Sequence, residues 1–228
     1  MDTKSFLGSV LSDEGYYCLF AANATEDHRQ QKFYTSIDTL QDAAIKYDED
    51  GYDVYFALAT FTQNNSRKQD NVNSLRSFFL DLDCGPSKDY ADQKTAIADV
   101  RKFCTALSLP TPAMVNSGRG VHVYWPLTEA VPRRQWTRVA ETLKQRCAEH
   151  KLRADAGVTA DSSRVLRFPD THNYKQDPPL EVKSYGVDLP KATPFAEFAS
   201  LLHGKPVEIS EAPEEAAGVE APVALFDK

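Results

Sequence analysis

Asp81 and Asp83 are residues whose type and spacing invite chemistry. They stand in the run Phe78-Phe79-Leu80-Asp81-Leu82-Asp83-Cys84-Gly85. Side chains alternate along a strand, so the two carboxylates share one face while Leu80 and Leu82 turn to the core. Two carboxylates this close repel each other unless a cation sits between them. Hard oxygen donors select Mg²⁺ or Mn²⁺ over softer metals. Two-metal phosphoryl transfer uses such a pair to bridge ions about 3.5–4 Å apart. The plainer reading of the same tripeptide is a strand end where acids meet solvent.

A second constellation is Asn116-Ser117-Gly118-Arg119-Gly120-Val121-His122-Val123-Tyr124-Trp125. Gly118 and Gly120 permit backbone angles closed to other residues and expose amide donors able to cradle a phosphate. Ser117 adds a hydroxyl and Arg119 a cation. With Val121 and Val123 packed inward, His122 and Tyr124 take the opposite face, which sets the imidazole beside a phosphate held by the turn. An ordinary hairpin with a hydrogen-bonded core histidine explains these residues too. The third constellation spans Ala154 to Lys175. There Asp155 can complete a three-carboxylate metal site. Arg167 and Lys175 can grip a triphosphate, since charge-assisted donors are the strong ones. Asp161 and Arg164 also read as an exposed ion pair of little energetic weight.

The elements that must position these groups follow from periodicity. Strands are expected at 16–21, 52–61, 75–82, 111–116, 120–126, 164–168 and 180–185. Helices are expected at 37–50 with Ser36 as N-cap, at 90–107, at 132–150 and at 194–203 before Gly204. Residues 62–74 are polar and without period, as in a loop. Strands and helices mix without a steady βαβ rhythm, which predicts an α+β fold with a mixed or mainly antiparallel sheet. No internal repeat is present.

The chain has 228 residues, a net charge of −7 and 42 % apolar residues, values of a globular protein able to bury a sizeable core. Its acidity argues against a protein that coats nucleic acid by charge alone. Residues 1–60 hold four basic against eleven acidic residues, and residues 133–175 hold ten against five. One local surface facing a polyanion is therefore expected, with Arg133, Arg134, Arg138 and Arg164 as candidate nucleic-acid contacts. A solvated helix face is the alternative for 133–153. Tyr124 or Trp125 can stack a base, although core packing suits Trp125 better. The four cysteines lie far apart with no CxxC spacing, so neither a zinc ribbon nor a disulfide framework is expected. No apolar run approaches a membrane span and the N-terminal residues lack signal-peptide order, so a cytoplasmic protein without membrane contact is expected. Residues 206–228, rich in Glu, Ala and Pro, read as a disordered tail that can dock a replicative helicase or single-strand-binding protein.

Taken in order, FLDLDCG, SGRGVHVYW and ADAGVTADSSRVLRFPDTHNYK resemble the three motifs of the archaeo-eukaryotic primase superfamily. The similarity is greatest to phage and plasmid primase-polymerases, and it spans roughly residues 52–185. It implies an RRM-like catalytic sheet with flanking helices (about 75–205) joined to an N-terminal α/β unit (about 1–74), together one catalytic domain over 1–205. It implies template-dependent nucleotidyl transfer from NTP or dNTP on single-stranded DNA, with primer synthesis or extension. Carried over by motif, Asp81, Asp83 and Asp155 are the ligands of two Mg²⁺ or Mn²⁺ ions, and His122 contacts the incoming triphosphate. Ser117, Gly118, Arg119, Gly120, Arg167, Asn173 and Lys175 surround the nucleotide. Asn173 stands where cellular primases place a histidine, and His172 lies one position off, so that role is not assigned to it. The zinc-binding cysteines of many relatives are missing, and no zinc is expected. A phosphate-binding GxxxxGK[ST] sequence is missing too.

Rival classes fit less well. A Toprim enzyme needs a Glu upstream in a glycine-rich setting, for which Glu14-Gly15 is a poor match. A rolling-circle initiator needs two histidines flanking one apolar residue, and Val121-His122-Val123-Tyr124 has one. A non-catalytic origin-binding or replisome-adaptor protein and a two-metal nuclease remain as alternatives.

Overall fold

The computed structural model describes residues 1–23, 27–186 and 188–204. The expected tail at 206–228 lies outside the described residues. The chain opens with α1 (Thr3–Val10), β1 (Tyr17–Asn23), β2 (His28–Tyr34), α2 (Ile37–Glu49), β3 (Asp53–Ala57) and β4 (Ala59–Phe61). A 3₁₀ turn at Gln69–Asn71 leads into β5 (Val72–Asp83), then α3 (Gln93–Leu107), β6 (Ala113–Asn116) and β7 (Gly120–Pro132). The remainder is α4 (Arg133–Glu149), α5 (Ala156–Thr159), β8 (Val165–Arg167), β9 (Thr171–Asn173), β10 (Leu180–Tyr185) and α6 (Phe195–His203).

Among the described residues two sheets result, of order β2-β1-β3-β8 and β4-β5-β7-β6-β10-β9, with every pair of these strands antiparallel. The fold is α+β, as the pattern of elements predicts. The single strand expected at 52–61 is instead broken at Leu58, whose amide bonds to the Arg164 carbonyl at 3.1 Å. Its first half pairs with β1 and β8, and its second half with β5. The expected boundary near residue 74 falls inside β5, and β8 from the later chain joins the N-terminal strands. The two sheets share one continuous core.

Local sequence explains the helix limits. Ser36 caps α2 by accepting from the Thr39 amide, and Asp92 caps α3 by accepting from the Thr95 amide at 2.7 Å. On α4, Trp136, Val139, Ala140, Leu143 and Cys147 form the buried stripe that periodicity predicts. Trp136 stacks on Phe78 and Phe79 of β5 and donates its indole N–H to the Ser77 carbonyl at 2.8 Å. Burying each such aromatic contributes about 1.5–3 kcal/mol, so this packing anchors α4 on the face of β5. Among the described residues, no helix is long and apolar enough to cross a membrane.

Candidate active site

β5 carries the acidic pair. Leu80 and Leu82 are fully buried, while the Asp81 and Asp83 side chains emerge on the opposite face, 19 % and 51 % exposed. β7 runs antiparallel beside it, with His122 opposite Asp81 and Gly120 opposite Asp83. The register sets the His122 Nε2 3.7 Å from Asp81 Oδ1. Gly120 is required by contact, because a Cβ there would lie 2.4 Å from the Leu82 carbonyl oxygen. Strand pairing thus brings the first two constellations together.

Asp155 arrives from 74 positions further along the sequence than Asp81, and backbone hydrogen bonding docks it: its amide donates to the Asp81 carbonyl at 2.8 Å. Its carboxylate caps the short helix α5, with Oδ1 accepting from the Gly157 amide at 2.8 Å. The three carboxylates line one cleft of about 320 Å³ together with Ser117, Arg119, His122, Arg164, Arg167, Asn173 and Lys175. Burial, then the neighbouring charge of Asp83 and more weakly that of Asp155, push the Asp81 carboxyl up to about 7, against an opposing pull from Arg164. This is the crowding that a bound cation relieves. All three side chains offer hard oxygen donors, so the donor set suits Mg²⁺ or Mn²⁺. Among the described residues no three acidic, cysteine or histidine side chains already stand as a finished metal cluster. Asp83 Oδ2 is instead held by Lys88 Nζ at 2.7 Å, and Asp155 is engaged as a cap.

His122 is buried and held neutral, its pKa pushed down to about 3 by burial and by the charges of Arg167 and Arg164. The Tyr124 hydroxyl lies 3.3 Å from Nδ1, and burial keeps that phenol protonated. With Tyr124 as donor to Nδ1, the imidazole proton sits on Nε2, which lies on the Asp81 side. Tyr124 and Trp125 are both fully packed, Tyr124 edge-on against Phe6, so base stacking is overturned for Tyr124 while Trp125 takes the core role that suits it better. The reason is that β7 is covered on both faces.

The glycine turn also departs from expectation. Gly118 has φ +88°, and its amide donates to Asn116 Oδ1 at 2.8 Å, so it is not free to hold a phosphate. Asn173 is buried and donates Nδ2–H to the Ser117 carbonyl at 3.1 Å, bracing the turn from behind. Arg167 is buried as well. It pairs with Asp53 at 2.6 Å and lies over the Tyr55 ring, 4.9 Å from its centroid. Arg164, expected among the nucleic-acid contacts, lines the carboxylate cleft, and its buried Nε has no hydrogen-bond partner among the described residues. Arg133, Arg134 and Arg138 line a separate groove with Gln69, Glu141 and Ser162. His172 turns away to Asp48, 2.8 Å from Nδ1.

Three contributors were not legible in advance. Lys88 sits in a turn with no pattern around it. Tyr55 lines the cleft from β3, and strand alternation does set it on one face with Asp53. Asp53 is a buried acid amid aromatic residues, a signal that a buried cation waits elsewhere in the chain.

The site thus stands on a two-sheet α+β fold, with carboxylates at the end of β5 and an imidazole on the neighbouring β7. Residues 20–167 match the LigD primase-polymerase domain family, and the chain belongs to it. Solved structures share the fold. The primase-polymerase domain of cyanophage S-2L has a TM-score of 0.59 at 17 % identity, covering 82 % of this chain and 89 % of that one. The polymerase domain of Mycobacterium tuberculosis ligase D, solved with DNA, has a TM-score of 0.54 at 15 % identity, covering 83 % and 80 %. The catalytic domain of primase RepB′, solved with initiator DNA, has a TM-score of 0.53 at 16 % identity, covering 83 % and 84 %. No curated protein matches the sequence.

Proposed function

We propose that the chain is a template-dependent nucleotidyltransferase that synthesises or extends primers on single-stranded DNA from nucleoside triphosphates. The observation that carries this reading is the bond from the Asp155 amide to the Asp81 carbonyl, which gathers three carboxylates around one cleft rimmed by basic side chains. Asp81, Asp83 and Asp155 would hold Mg²⁺ or Mn²⁺. Bound there, the ions supply a lowered pKa at an attacking 3′-hydroxyl and charge neutralisation at the leaving pyrophosphate.

The chain's own residues account for the rest. His122 stays neutral and presents Nε2–H as a hydrogen-bond donor to a phosphate oxygen. Arg119, Arg164, Arg167 and Lys175 supply positive charge where negative charge develops on the β- and γ-phosphates. Arg167 is preorganised by Asp53 and Tyr55, so it need not be ordered when substrate binds. Ser117 offers a hydroxyl at the wall of the cleft. Arg133, Arg134 and Arg138 line a groove beside the 155–164 segment, a path suited to the template phosphates.

The test is extension of a labelled primer by the purified protein with Mn²⁺ or Mg²⁺, alongside unprimed synthesis on single-stranded template. Activity is expected, with loss of at least a hundredfold in Asp81→Ala combined with Asp83→Ala. Equal extension by that double variant refutes the mechanism. Shortening of the labelled strand identifies a nuclease instead.

A further inference from the structure

Lys88 has a place in the cleft that the mechanism above does not use. Its Nζ lies 2.7 Å from Asp83 Oδ2, on one of the carboxylates assigned to the metal. The turn that carries it is tied down: Lys88 N bonds to the Gly85 carbonyl at 3.1 Å and Gly85 N to the Tyr90 carbonyl at 2.9 Å. The turn is also stitched to the phosphate side of the cleft, because the Cys84 amide donates to the Arg119 carbonyl at 2.9 Å. Lys88 and Arg119 therefore enter the cleft from adjoining turns, both exposed and both lining it.

A divalent ion and the Lys88 ammonium compete for the negative charge of the exposed Asp83 carboxylate. A lysine head on a flexible four-carbon stem can move several ångströms at small cost. Once released, its neighbouring cation is Arg119, so the anion that suits it is a triphosphate held beside Arg119. We propose that Lys88 is a stand-in cation. It neutralises Asp83 until a divalent ion arrives, then turns to the nucleotide's phosphates, so that metal loading and nucleotide binding are coupled through one side chain. This inference rests on the nucleotidyl-transfer reading.

The experiment is a set of binding titrations on the whole chain, without primer or template. Mn²⁺ binding is followed by electron paramagnetic resonance, with and without an α,β-imido nucleoside triphosphate in its ribo and deoxyribo forms. Lys88→Met is expected to bind Mn²⁺ alone about two- to fivefold more tightly, the range for losing one exposed competing ion pair. In the presence of Mn²⁺ it is expected to bind the nucleotide analogue about tenfold more weakly, as for a lost charged hydrogen bond. The factor by which each ligand tightens the other shrinks equally in both directions, since linkage is reciprocal. Lys88→Arg restores the unmutated pattern. Arg119→Met weakens the nucleotide but leaves affinity for Mn²⁺ alone within twofold, because Arg119 makes no ion pair with Asp83. If the unmutated chain binds Mn²⁺ and Lys88→Met binds Mn²⁺ alone no more tightly, the stand-in role is refuted and the nucleotidyl-transfer reading stands. If the unmutated chain binds Mn²⁺ no better than Asp81→Asn with Asp83→Asn, that reading falls and the role of Lys88 falls with it.

Discussion

Asp81→Asn should stabilise the protein at neutral and higher pH when divalent ions are chelated. In the folded chain the Asp81 carboxyl is raised from 3.8 to about 7 by burial and by Asp83. A raised folded pKa means the folded state holds the proton more tightly than the unfolded state. The associated stability is fully present below about pH 4 and is lost as the pH rises through about 7. At 1.36 kcal/mol per unit, ionising Asp81 costs the fold on the order of 4 kcal/mol above pH 7. Asparagine is close in shape and carries no charge, so it escapes that cost. For a chain of this size the gain corresponds to a melting temperature roughly 8–16 °C higher at pH 8. His122 has the opposite sign. Its pKa is lowered from 6.5 to about 3, so its stability is present above pH 6.5 and lost as the pH falls towards 3. Between pH 4 and 6.5 the two effects oppose each other in the unmutated chain, and Asp81→Asn removes the component that falls with rising pH. The assay is thermal unfolding from pH 4 to 8.5 in chelator. A melting temperature at pH 8 no higher in Asp81→Asn than in the unmutated chain would show that the carboxylates are not crowded, and the electrostatic argument for a cation there would fail.

Two further outcomes follow from single contacts. Asp53→Asn leaves the buried Arg167 guanidinium without its anion, which should cost about 3–5 kcal/mol in urea unfolding; a loss under 1 kcal/mol would mean that Arg167 finds another partner. Combined Arg133→Ala and Arg138→Ala should lower the salt dependence of single-stranded DNA binding by about 1.4 in log–log slope, two phosphate contacts at roughly 0.7 each. The same pair should leave Mn²⁺ affinity unchanged, because these residues line a groove apart from the carboxylates; an unchanged salt slope would remove that groove from the DNA path.

Much of the candidate site was legible because its groups are set by local periodicity. Alternation along β5 puts Asp81 and Asp83 on one face above buried leucines whatever the rest of the chain does. The α4 stripe, the Ser36 cap and the α6 stop at Gly204 were readable for the same reason. Elements without a local signature were missed. The edge strand β2, His28–Tyr34, is polar along nearly its whole length, because among the described residues it pairs with β1 alone and little core acts on it. α5 is four residues long, shorter than any helical period that could betray it. The break at Leu58 was hidden because both halves of that strand are equally apolar.

By itself, then, the sequence determined the chemical vocabulary: a carboxylate pair, a glycine turn followed by a histidine, a distant acid and a basic run in superfamily order. Only the tertiary structure decided which of these groups face the same space. It sent Arg164 into the cleft and Arg133 to another groove, turned Gly118 N–H inward to Asn116, buried Tyr124, and put Lys88 on Asp83. The physical reason is range. Backbone alternation and capping act over a few residues and leave a trace in the sequence, whereas the meeting of Asp155 with Asp81 depends on how two sheets share one core.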